Sequence, residues 1–226
     1  MIRRKIYCLL LFACIQLQVI AQADDRFLSY SAKPSQIELH WKDDNGNVIG
    51  SIGNLKTFFK ATGDTLLFAM NGGMYSKDQS PQGLYIEKGK TLAPLDTLHG
   101  NGNFYLKPNG IFYLTTTCNP IVCTTENFQD NGQIKFATQS GPMLVIDGQI
   151  HGTFKKGSTN LNIRNGVGIL SDGNALFAIS KVPVNFYDFA MFFKNQKCNT
   201  PFIWMALFHV PTFATKTGSN WMVLLE

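Results

Sequence analysis

Four segments of this chain join a permissive backbone to polar side chains at the ends of expected strands or helices. They are Asn71-Gly72-Gly73-Met74-Tyr75, Gln139-Ser140-Gly141-Pro142, Arg164-Asn165-Gly166-Val167-Gly168 and Asn185-Phe186-Tyr187-Asp188-Phe189-Ala190. Glycine exposes backbone N–H groups and lets a ligand approach closely. Such nests suit a phosphate or a developing oxyanion. Arg164 carries a guanidinium fork that matches two phosphate oxygens; its structural alternative is a surface or loop-tying arginine. Asn71 is a donor for a sugar hydroxyl or phosphate, with Gly72 and Gly73 opening the backbone beside it, or else a turn former. Gln139, Ser140 and Gly141 offer further donors, or a β-bulge ahead of Pro142, and Asn165 stands beside Arg164. Ser140 is a poor nucleophile candidate because no histidine sits in a triad context. Asp188 is a candidate acid, but it follows Asn185 at the spacing of a capping box, which explains it without chemistry. Tyr75 and Tyr85 offer a sugar-stacking face or simply core. Glu87, beside Lys88-Gly89, reads as a solvated hairpin residue.

The elements that must hold these segments are mostly strands. Ser35 to Trp41 alternates and runs into the Asp43-Asp44-Asn45-Gly46-Asn47 turn. Ser51 caps a short helix carrying Leu55, Phe58 and Phe59 on one face. Thr65 to Met70 is an apolar strand ending at Asn71. Four hairpins are expected, turning at Lys88-Gly89, Pro108-Asn109, Asp147-Gly148 and Asp172-Gly173. A helix starts after Asn185 and runs to about Gln196. Neither repeat nor linker breaks the chain from Asp24 onward. The pattern is α+β: a largely antiparallel sheet of hairpins with few helices, in a single domain.

Residues 1–23 stand apart. Arg3, Arg4 and Lys5 precede an apolar run from Cys8 to Ala21, and Ala21-Gln22-Ala23 is a small-x-small cleavage site. That is the pattern of a secretory signal, too short and too interrupted to span a membrane. A lipid anchor at Cys14 is a variant, although Phe12 fits a lipobox poorly. Secretion or export to a periplasm follows. Of the formal charge of +5, three units sit in this leader, leaving +2 for the remainder. No basic run suggests nucleic acid. Cys118 and Cys123 are placed to pair across Asn119-Pro120 in an oxidising compartment, and Cys198 is expected to be buried. Neither a metal nor any other cofactor is implied, since no histidine stands at ligand spacing.

The order and spacing of the polar segments resemble the phosphodiester glycosidase family over about Thr65 to Cys198. Ser80-Pro81-Gln82-Gly83-Leu84-Tyr85, Asn101-Gly102-Asn103-Phe104-Tyr105 and Ser140-Gly141-Pro142-Met143-Leu144-Val145 carry the likeness together with the Asn71, Arg164 and Asn185 segments. The resemblance implies hydrolysis of a sugar-1-phosphodiester such as a GlcNAc-1-phosphodiester, with the phosphate left on its carrier. It makes Arg164, Asn71 and Asp188 the catalytic candidates. Gly72, Gly73, Tyr75, Gln139, Ser140, Gly141 and Asn165 become the substrate contacts. The partner is therefore a sugar-phosphate or glycan. A non-catalytic glycan-phosphate binding protein of the envelope, or a structural envelope protein, are the rival readings.

The family pattern continues from a cysteine like Cys198 into a strand ending Leu-Asp-Gly, and here the chain departs from it. Phe202-Ile203-Trp204-Met205 stands in that place. Trp-Met is always encoded TGGATG. Read from the third base of the tryptophan codon, Trp204-Met205-Ala206 gives GAT GGC, and Trp221-Met222-Val223 gives GAT GGT; both spell Asp-Gly. A base lost near Thr200-Pro201 accounts for this, with a domain over residues 24–201 and an out-of-frame tail over 202–226. A glycosidase normally uses two carboxylates. On this reading the chain as written lacks one, is weakly active or inactive at a cost of ~10²–10⁴ in rate, and leaves a sheet edge unpaired.

Overall fold

The computed structural model describes residues 24–198 in full, together with the backbone of Phe202–Trp204 and Trp221–Leu225. The expected leader, with Cys14, lies outside the described residues.

The chain opens with β1 (Phe27–Ala32), β2 (Ile37–His40), α1 (Ile52–Thr62) and β3 (Leu66–Asn71). The hairpin β4 (Tyr85–Glu87) and β5 (Lys90–Ala93) follows, then β6 (Gly110–Thr115), β7 (Pro120–Thr124) and β8 (Ile134–Ser140). The short pair β9 (Val145–Ile146) and β10 (Gln149–Ile150) leads to β11 (Asn165–Ile169), β12 (Ala175–Ser180) and α2 (Phe186–Asn195). Two further strands, β13 (Phe202–Trp204) and β14 (Trp221–Leu225), close the order. Every pairing is antiparallel. The sheets run β1-β12-β11-β13, β2-β14-β3 and β5-β4-β8-β6-β7, with β9-β10 apart. One buried cluster joins the three larger sheets, from Leu39 and Met70 through Phe112 and Phe136 to Val167 and Phe177. This is the α+β architecture the residue pattern predicts.

The helices form where their ends and faces dictate. Ser51 accepts a hydrogen bond from Asn54 N, and Gly63 ends α1 in the left-handed region at φ 86°. In α2, Phe186, Phe189, Ala190 and Phe193 recur at helical spacing and are buried. They pack on Leu144, Leu176 and Ala178.

Three expectations are corrected. Pro108-Asn109 does not turn a hairpin: Asn103–Tyr105 is a single 3-10 turn, and β6 pairs with β7 and β8 instead. Gln139-Ser140 is not a loop or bulge but the end of β8, the middle strand of its sheet. The tail does not leave an edge open, because β13 lies on β11 and β14 runs between β2 and β3. Two strands, β1 and β7, are not among those the residue pattern predicts.

Candidate functional site

Between the 153–160 loop, the Asn103 turn and the start of α2 lies an open groove of about 510 Å³. Asn103, Phe154, Lys155, Lys156, Asn160 and Tyr187 are among its walls, and Phe186 forms part of its floor. Its lining includes two lysines and no Asp or Glu among the described residues. Beneath it, the Arg164 guanidinium lies 3.6 Å from the Phe186 ring centroid. Phe186 stacks on Phe154 at 4.7 Å, and Phe154 on His151 at 4.8 Å. His151 is held flat: Nδ1 accepts from Thr153 N, which fixes Nε2–H as donor to Lys107 O at 2.8 Å.

Two of the segments quoted from the sequence reach the groove lining, one through Asn103 and one through Phe186 and Tyr187, whereas Asn71, Gln139, Ser140, Arg164 and Asn165 are not among its lining residues. Asn103 lies in its wall. Gly141 packs against the Asn103 and Phe104 carbonyls so closely that an added Cβ would stand 2.7 Å from Phe104 O. Arg164 donates from Nε to Val184 O at 2.8 Å and from Nη2 to Asn160 O at 2.9 Å. Its side chain is fully buried, and burial lowers its pKa to about 10. It therefore carries its charge at neutral pH, below the groove floor rather than in its opening. Asn185 caps α2 by accepting from Asp188 N and donates to Ser158 O. Asp188 Oδ2 accepts from Asn185 Nδ2 and lies 3.5 Å from Arg26 Nη1. The helix-cap geometry foreseen at this pair is present.

Gln139 is wholly buried and its amide is spent within the protein. Oε1 accepts from Leu84 N and Asp96 N, both at 2.9 Å, and Nε2 donates to Asp96 O at 2.6 Å. Gly83 is needed here: its φ is +76°, and a Cβ would meet Gln139 Oε1 at 2.5 Å. Asn109, which the sequence did not single out, braces the same corner by accepting from Thr125 Oγ1 at 2.7 Å. Only its place in a Pro-Asn pair could have drawn attention to it.

Among the described residues, three buried polar atoms have no hydrogen-bond partner: Asn71 Nδ2, Ser140 Oγ and Asn165 Oδ1. They end β3, end β8 and begin β11. Buried polar groups are almost always satisfied, so three exceptions within the quoted motifs set these positions apart from the rest of the core. Gly72 and Gly73 follow Asn71 and are buried or nearly so. Tyr75 is half-buried, which raises its phenol pKa, and it bridges to Pro81.

A second polar cluster escaped the sequence reading. Glu87 is not solvated. Its Oε2 accepts from Trp41 N at 3.1 Å and from Tyr85 OH at 3.2 Å, and burial raises its pKa. Glu38 Oε2 lies 2.8 Å from His40 Nε2, whose hydrogen bond lowers the Glu38 pKa. His40 presents its ring edge to Phe59 at 5.0 Å. The signal was present in the alternation of Glu38 and His40 along one strand face.

The expected cysteine pair is not formed. Cys118 sits in the turn at φ 59°, whereas Cys123 lies down β7 opposite Ile111, and both are free. Burial pushes Cys123 up to about 11 and the buried Cys198 up to about 12. Cys198 fills the space a side chain at Gly168 would need, 2.8 Å from such a Cβ. No helix among the described residues is long and apolar enough to cross a membrane.

Antiparallel sheets joined by a shared core, with two helices, define an α+β domain. The particular family follows from the sequence: residues 64–200 match the phosphodiester glycosidase profile, and the chain belongs to that family of hydrolases acting on phosphodiester-linked sugars. It is 38% identical over 170 residues to the Escherichia coli K12 protein YigE, a match covering 74% of this chain and 66% of that protein. The fold is similar to the zebrafish N-acetylglucosamine-1-phosphodiester α-N-acetylglucosaminidase catalytic domain, auto-inhibited by its pro-peptide. The TM-score is 0.54 at 14% identity, with 88% of each chain covered. A hypothetical protein from Synechocystis superposes with a TM-score of 0.50 at 12% identity, over 88% of this chain and 59% of that one.

Proposed function

We propose that this protein hydrolyses a sugar-1-phosphodiester of the GlcNAc-1-phosphodiester type outside the cytoplasm. Water adds its oxygen to the anomeric carbon as the sugar–oxygen bond breaks. The free sugar leaves, the carrier keeps a phosphate monoester, and one proton is released near neutral pH. The observation that carries this reading is the set of unpartnered buried groups, Asn71 Nδ2, Ser140 Oγ and Asn165 Oδ1, in segments shared with the family. Preorganised polar groups at a water-poor site are worth more than the same groups in solvent. Lys155 and Lys156 give the groove the sign an anionic diester needs. The arginine beneath it adds fixed positive charge and holds the Asn160 edge in place. In this reading Arg164 acts through the groove's shape and field, and Asn71, Ser140 and Asn165 meet the sugar or the phosphate.

The test is an assay of the purified chain, and of the chain with its reading frame restored after Thr200, on a GlcNAc-1-phosphodiester. Free GlcNAc and a phosphate monoester, seen by phosphorus NMR, are expected from the restored chain. Neither product from either chain defeats the proposal. Binding of the diester without turnover in both would replace it with the glycan-phosphate binding protein.

A further inference from the structure

We infer that Trp41 is a positioning residue of the site: its indole N–H pins the tip of the 72–83 loop and so sets where Tyr75 stands for a ligand. The pinning stands on geometry; its effect on ligand binding and turnover rests on the proposed function.

The loop leaves β3 after Asn71 and returns to β4 through Gly83 and Leu84. Its first end is the buried Asn71 with its unpartnered Nδ2. At its other end Leu84 N donates to Gln139 Oε1, on the residue before Ser140. Between these ends the chain closes on itself. Ser76 N donates to Ser80 O at 2.9 Å, Gln79 N to Ser76 O at 2.9 Å and Gln82 N to Met74 O at 2.8 Å. Tyr75 is bridged to Pro81. These bonds fix the shape of the loop but not its lean over the strands.

The lean is set from outside. Trp41, just past β2, donates from Nε1 to Gln79 O at 3.0 Å. Gln79 holds φ at 65°, a left-handed conformation that a residue other than glycine keeps only where its surroundings over-determine it. Its Oε1 lies 3.5 Å from where a Cβ on Gly50 would stand. Trp41 is itself held fast. Its N donates to Glu87 Oε2 and its O accepts from Ile49 N, both at 3.1 Å. Its ring meets Tyr85 edge-on at 6.4 Å and carries Lys42 Nζ at 4.2 Å. A rigid donor thus meets the tip of the loop.

Trp41 packs on the central cluster that includes Tyr85, Phe136 and Val167. Tyr85 stands opposite Thr138 in β8. Side chains alternate along a strand, so Thr138 and Ser140 share the β8 face of Phe136, and Asn165 shares the β11 face of Val167. Trp41 therefore joins the cluster face on which Ser140 and Asn165 stand to the loop that runs out from Asn71. It precedes residues 64–200, so the family match does not assign it.

The experiment uses Trp41→Phe in the full chain. Phenylalanine keeps a ring against Tyr85 and the backbone bonds to Glu87 and Ile49, and loses the indole N–H. Amide hydrogen exchange at Ser76, Gln79 and Gln82 is expected to speed by about 2- to 10-fold, the worth of one hydrogen bond, with the β8 amides unmoved. The dissociation constant of a GlcNAc-1-phosphodiester is expected to rise by a similar factor, and KM to rise while kcat holds. Trp41→His, which puts a ring N–H back, is expected to recover part of both losses. Unchanged exchange in the loop overturns the inference, as does faster exchange with an unchanged dissociation constant. Equal losses in Trp41→Phe and Trp41→His would trace the effect to ring size and overturn it too. A parent chain that neither binds nor hydrolyses the diester removes the proposed function, and exchange alone then decides the pinning.

Discussion

Two corners of this molecule treat buried polarity in opposite ways. Around α2, Arg164 and Asn185 are buried and hydrogen-bonded: Arg164 to Val184 O and Asn160 O, Asn185 to Asp188 N and Ser158 O. At the ends of β3 and β8 and the start of β11, Asn71, Ser140 and Asn165 are equally buried, and each keeps an atom without a partner. The first corner is finished by the fold itself. In the second, the fold among the described residues leaves these atoms unsatisfied. Substitutions should therefore change sign in their effect on stability between the two corners.

Arg164→Ala is the strongest test. It strands the buried Val184 carbonyl, at ~1–3 kcal/mol, frees the Asn160 edge and removes the guanidinium from the Phe186 face, leaving a large cavity. A loss of about 3 kcal/mol or more in unfolding free energy is expected from denaturant titration. A loss below ~1 kcal/mol would mean that this corner is not built around the arginine.

Ser140→Ala should go the other way. Its hydroxyl is wholly buried with no partner, so its removal leaves nothing newly unsatisfied. Stability is expected to hold or rise by up to ~1–3 kcal/mol while hydrolysis of a sugar-1-phosphodiester falls. A destabilised Ser140→Ala protein would erase the contrast between the corners.

The finished corner was largely legible in the sequence, and the open one only in outline. Asn185 and Asp188 announce a cap through local spacing, and the Phe186, Phe189, Ala190, Phe193 period announces the helix behind it. Both signals lie within one element. By contrast, Gln139-Ser140 reads as a loop because Gly141-Pro142 follows at once, yet the pair closes the middle strand of a five-stranded sheet. Burial on both faces leaves a strand without alternation. Arg164 reads as a phosphate fork because residue type says nothing of depth. Its donors go to the carbonyls of Asn160 and Val184, the second of them twenty residues along the chain. Glu87 reads as solvated because its partner Trp41 stands just past β2, 46 residues earlier in the chain.

Asn185→Ala should cost about 1 kcal/mol, within the 0.5–2 kcal/mol range for a lost helix cap. The Ser158 carbonyl loses its donor as well, which loosens the groove wall. The thermal midpoint and the Michaelis constant for the diester are expected to move together. A change in the midpoint alone would detach the cap from the groove.

The smallest effect separates the two glutamates beside the open corner, which pull in opposite directions with pH. Glu38 has its pKa lowered by His40, so the fold binds fewer protons there than the unfolded chain does. Its stabilisation is present above the ordinary value of 4.5 and is lost as pH falls through the lower folded value. Glu87 has its pKa raised by burial, so the fold holds its proton longer. Stability from that group is present below 4.5 and declines as pH rises from 4.5 through the higher folded value. Glu87→Gln keeps an oxygen for Trp41 N and the Tyr85 hydroxyl but cannot ionise. Above pH 4.5 it should be slightly more stable than the parent, and below that the two should converge. Glu38→Gln should show the reverse, weaker above its folded pKa and equal in strong acid. Unfolding curves between pH 3 and 7 are the measurement. Parallel pH profiles for the two variants would mean that Glu38 and Glu87 share one environment, against their opposite shifts.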